Sequence, residues 1–248
     1  MSDRRTAAPR RVHPVGADAR WIEALASLRA GFAAPVIAIV GDTGDGAARA
    51  LQVALGGTAT LAHVDWREAN PARLRDALLD LAADTGALAV QIDPDTLKGA
   101  GPFSRALAPD VVLFARGIDP ALCLEMVERL GEAEAIILDR DDPRYAGCLE
   151  ALEDVRGVRA LSFGTNRDAA VRLIDCQLYT TCSAVQIQSG RLAFDFCIGA
   201  PGPHRVSAAL AALTTVKALG GDLATAAGRF AGADEAEANA PARRAGPA

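Results

Sequence analysis

The residues Gly41-Asp42-Thr43-Gly44-Asp45-Gly46 carry the strongest chemical suggestion in the chain. They follow the apolar run Val36–Val40 and open an alanine-rich segment, so a buried strand, a glycine turn and a helix start come in succession. A turn of that shape aims backbone N–H groups and the positive end of a helix at an anion. A full phosphate loop also needs a lysine for the phosphates and a hydroxyl for magnesium. Asp45 stands in the lysine position, and Gly46 and Ala47 stand where the hydroxyl belongs. At ~4 Å and an effective dielectric of ~20, one such charge is worth ~4 kcal/mol, so a change of sign is enough to abolish ordinary nucleotide binding. A tight strand-to-helix turn by itself also accounts for the glycines.

Other groups could join that loop. Asp139, Asp141 and Asp142 form a carboxylate cluster before Pro143, which suits a metal site or, equally, a loop and helix cap. Asp93 follows the apolar stretch Ala87–Ile92, which contains Gln91. Arg116 and Arg205 could hold an anion, and His204 precedes an Ala/Leu-rich segment where a cap or a packed ring is the plain reading. With three histidines in the chain and no C-x-x-C among its five cysteines, no metal site is expected, and the cysteines read as reduced thiols of a cytoplasmic protein. Trp21 reads as core.

The elements that must position these groups alternate. Trp21, Ile22, Leu25, Leu28 and Phe32 are at helical spacing over 18–32. Strands are expected at 36–40, 58–64, 87–92, 111–114, 135–138 and 158–163, and helices at 46–55, from Asn70-Pro71 onward, at 120–130 and at 144–155, with a short turn at 102–108. This is the pattern of an α/β doubly wound, mostly parallel sheet. Ligands of such sheets bind outside the carboxyl ends of the strands, which puts Gly41–Gly46, Asp93 and Asp139 on one rim. Between 172 and 198 the pattern becomes alternating, with Ser189-Gly190 as a hairpin turn, so a small appended antiparallel sheet is expected. A helix over 204–219 and another from Asp222 to about Phe230 complete the domain, 17–231. Residues 1–16 and 232–248 are expected to be a disordered arm and tail. The net charge of −5 disfavours nucleic acid and anionic membrane surfaces as partners, and no apolar run reaches the ~20 residues of a membrane span.

From about residue 18 to 231 the chain resembles the central, ATP-binding domain of the Mur ligase family, and within it the enzymes that add D-alanyl-D-alanine to UDP-N-acetylmuramoyl-tripeptide. The resemblance rests on the glycine loop, Ala89-Val90-Gln91-Ile92, Leu107-Ala108-Pro109-Asp110-Val111-Val112, Asp141-Asp142-Pro143, Ser162-Phe163-Gly164 and Pro201-Gly202-Pro203-His204-Arg205, in that order. It implies a P-loop-like fold and, for the family, amide formation through an acyl phosphate made with ATP and magnesium. It also implies where this chain departs. The family's loop lysine aligns with Asp45 and its magnesium-binding glutamate with Gln91. Its two adenine-side asparagines align with Arg205 and Ala208, while His204 is kept. The family's Asp-His-Leu segment and carbamylated lysine have no counterpart after Phe114, where Ala115–Pro120 runs straight into a helix, and a stand-alone central domain without the family's flanking domains is expected.

These departures lead to the expectation of a degenerate ligase domain with no catalytic residue, a scaffold or regulator tied to cell-wall (peptidoglycan) or related peptide-ligating enzymes. It would work through a protein partner or as a homo-oligomer. No cofactor is expected; ATP and magnesium enter only under the alternative, a divergent acid–amino-acid ligase subunit completed by a partner chain. A small-ligand or nucleotide-binding module is the third reading.

Overall fold

A computed structural model describes residues 23, 26–27, 29–41, 46–56, 59–63, 86–92, 107–114, 118–131, 133–155 and 157–232. The arm 1–16, the helix expected from Asn70-Pro71, most of the 102–108 turn and the tail beyond Gly232 lie outside these residues. So do Trp21, Ile22, Leu25 and Leu28 of the expected first helix; its described positions are helical up to Gly31, and Phe32 lies just past its end.

Among the described residues nine strands form one sheet in the order β2-β3-β1-β4-β5-β6-β7-β8-β9. They are β1 (Val36–Val40), β2 (Ala59–His63), β3 (Ala87–Ile92), β4 (Val111–Phe114), β5 (Ala135–Asp139), β6 (Arg159–Gly164), β7 (Val171–Leu178), β8 (Ser183–Ser189) and β9 (Leu192–Ile198). β1 to β7 pair in parallel, and β7–β8 and β8–β9 are antiparallel. β1 and β4 are apolar at every position, and β3 and β5 at all but Gln91 and Asp139, because both faces are covered. Alternate residues go to opposite layers. Ile37, Ile39, Ala89, Leu113 and Ile137 pack with helices α1 (Gly46–Ala54), α4 (Pro203–Ala218) and α5 (Leu223–Gly228). Val36, Val40, Val90, Phe114 and Ile136 pack with α2 (Pro120–Leu130) and α3 (Tyr145–Leu152).

Local chemistry sets the helix ends. Asp119 caps α2, its carboxylate accepting the Ala121 N–H at 2.9 Å, with Pro120 in the first helical position. The Asp222 carboxylate accepts the Ala224 and Thr225 N–H groups at 2.8 and 3.2 Å to open α5, and the Thr225 and Ala224 amides hold its carboxyl below the usual range. The second expected C-terminal helix is shorter than its pattern, since Arg229–Gly232 winds as a 3-10 turn. There the Arg229 guanidinium caps α1 through the Ala54 carbonyl at 2.6 Å. α4 is apolar on nearly every side because it lies between the parallel sheet, α1 and the antiparallel strands.

The antiparallel strands are not a separate sheet; they continue the parallel one. Their link is short: Phe163 pairs with Val171 and Gly164 with Arg172, so the rest of β7 runs beyond the carboxyl end of β6. A bulge at Leu173/Asp175 bends β7 there. The β8–β9 turn closes with Ser189 opposite Leu192, and Gly190 takes the first loop position at φ 62°. Lys217, near the end of α4, ties this region down by donating to Ser189 Oγ at 2.7 Å and the Ala170 carbonyl at 3.0 Å.

The amino ends of the strands are knitted by Asp110. Its carboxylate accepts from the Val36 N–H at 2.6 Å and from Arg29 at 2.7 Å, and its carbonyl receives the Glu134 N–H at 2.9 Å. The Pro109-Asp110-Val111 stretch is thus structural and sits at the opposite end of the sheet from the ligand rim.

Candidate functional site

The chain leaves β1 toward one edge of the sheet and leaves β3 toward the other, so the carboxyl ends of these adjacent strands flank the switch point where α/β folds place ligands. Gly41, at φ 80°, donates its N–H to the Ile92 carbonyl at 3.1 Å and closes the end of β1 onto the end of β3. Asp42, Thr43, Gly44 and Asp45 lie outside the described residues, as do Asp93 and Arg116. Gly46 opens α1 and faces Ala208 of α4, whose Cβ is 4.0 Å from where a Gly46 Cβ would stand. The loop's helix and the first turns of α4 are therefore neighbours. Arg205, half-buried, lies one turn before Ala208 on the same side of α4. His204 is exposed and folds its ring over Gly202, where a Cβ would meet Cε1 at 2.7 Å.

Gln91 sits one residue before the end of β3, in register with Ile39 of β1, and is 4% exposed. The group that the switch point presents here is a buried neutral amide. It brings no charge to a cation and only one carbonyl oxygen as a ligand.

The carboxylate cluster resolves into separate structural tasks. Asp139, 5% exposed at the end of β5, accepts the Asp141 N–H at 3.0 Å. Asp141 reaches across to the turn after β6. Its carboxylate accepts the Thr165 N–H at 2.7 Å, the Thr165 hydroxyl at 3.0 Å and the Asn166 N–H at 3.3 Å. Gly164 makes room for it: at φ 142° its Cβ would stand 2.8 Å from the Asp141 carboxylate. Asp142 accepts the Arg144 N–H at 2.8 Å and leads into α3. Among the described residues no three His, Cys, Asp or Glu side chains come together to hold a metal ion.

Arg140 lies over the Tyr145 ring at 5.0 Å, donates to its hydroxyl at 2.9 Å and pairs with Asp168 at 3.4 Å. The sequence reading assigned no role to Arg140, Tyr145, Thr165, Asn166 or Asp168. The one signal available was the glycine that ends β6, since the partners it brings together are far apart in the chain. Beneath Asp139 and Asp142 a slot lined by Phe114, Leu138, Tyr145 and Cys148 holds about 10 Å³, room for one water but no nucleotide. Behind it Cys123 and Cys148 face each other across α2 and α3, and burial pushes both thiols up, Cys123 far above its ordinary range. Residues 115–119 alone separate β4 from α2, too few for an inserted catalytic segment.

A parallel sheet ordered 2-3-1-4-5 with a glycine turn after β1 defines a P-loop-like α/β domain. The particular fold is that of the Mur ligases. No protein-family model matches the sequence, and no curated protein matches it. Among solved structures, MurF from Acinetobacter baumannii superposes with a TM-score of 0.68 at 18% identity over 88% of this chain and 50% of that one. MurF from Thermotoga maritima, solved in complex with ADP, gives 0.65 at 15% identity over 90% and 55%. The folylpolyglutamate synthetase of Lactobacillus casei gives 0.57 at 12% identity over 86% and 66%. The chain spans about half the length of the MurF structures it matches. It has a Mur-ligase-like fold corresponding to their central domain. No described helix is long and apolar enough to cross a membrane.

Proposed function

We propose that this chain is a Mur-ligase-like domain without ATP-dependent amide ligation, and that it serves as a scaffold or regulator of a peptide-ligating enzyme. The observation that carries the reading is Gln91, a buried amide at the switch point where the family resemblance calls for a magnesium-binding carboxylate. Phosphoryl transfer is catalysed almost entirely by positioning and by cations that neutralise the transferring group. A neutral residue at this point, and Asp45 in the lysine position, both work against that chemistry. Asp141 and Asp142 do not make good the loss, since their oxygens are engaged with backbone N–H groups. The cell-wall setting is inferred from the MurF likeness; the folylpolyglutamate synthetase likeness extends the candidate partners to other amide-forming ligases. The domain would act in the cytoplasm, through a partner chain or a second copy.

A second reading, a ligase subunit completed in trans, draws on Arg205, one turn before the Ala208 that faces the start of α1, where a cation and a helix N-terminus could share an anion. The two readings differ in what restoration does. The Asp45→Lys, Gln91→Glu double variant is expected to gain magnesium-dependent ATP binding that the native chain lacks. If the native chain releases phosphate from ATP when mixed with a candidate partner and an amino-acid acceptor, and the double variant adds nothing, the ligase-subunit reading stands instead.

A further inference from the structure

We draw no further inference here: the strongest candidate, the apolar tip of the antiparallel strands where Ile174, Leu178 and Tyr179 stand exposed past the paired end of β6, carries nothing because nothing in the structure shows what covers it.

Discussion

Gly164 and Asp141 illustrate how much a single residue pair does at the rim. The glycine's positive φ and the carboxylate 2.8 Å from its missing Cβ make one unit. A Gly164→Ala change must strain the backbone and push the carboxylate off the Thr165 amide. The expected cost is about 1–3 kcal/mol in denaturant unfolding. In an Asp141→Ala background the same change is expected to cost less, because the clash is gone; equal costs in both backgrounds would remove Asp141 from the account. The cysteines divide in a similar way. Cys197 is exposed, whereas Cys123 and Cys148 are buried and burial raises both thiols further from the thiolate form. Since the thiolate is the reactive form, brief iodoacetamide treatment of the native protein is expected to alkylate Cys197 and to spare Cys123 and Cys148 until denaturant is added. Mass mapping that finds Cys148 modified in the native state would contradict the packing of α2 on α3.

At the scale of elements, the legible parts were those governed by local rules. Val36–Val40 and Val111–Phe114 were readable because a strand covered on both faces has no polar position to break its run, and Ala87–Ile92 because Gln91 is its one polar position. The start of α2 was readable from Asp119-Pro120, and the cap found there gives a direct test. Asp119→Ala is expected to lower stability by about 1 kcal/mol, measured as a shift in denaturation midpoint at constant slope. What could not be read was pairing. The alternation over 172–198 announces antiparallel strands but says nothing of which edge they join, and the two residue pairs linking β6 to β7 have no local signature. The carboxylate cluster was ambiguous for the same reason: Asp141 is a metal candidate until Thr165 and Asn166 are seen to occupy it.

At the scale of the molecule, the fold is Mur-ligase-like, and Asp110 and Asp141 hold the two ends of its sheet together. Gly41 closes β1 onto β3, and α1 lies against the first turns of α4. Read from the sequence, the Gly41–Gly46 loop was both a phosphate loop and a plain turn. The proposed function takes the turn, on the argument that a nucleotide's magnesium needs charge that Gln91, at the end of β3, does not bring. The measurement that bears most directly on this is calorimetric titration of the full chain with Mg-ATP. The account predicts no binding heat up to millimolar nucleotide, with or without magnesium. Micromolar, magnesium-dependent binding that is lost when Gly44 is replaced by a bulky residue would contradict it.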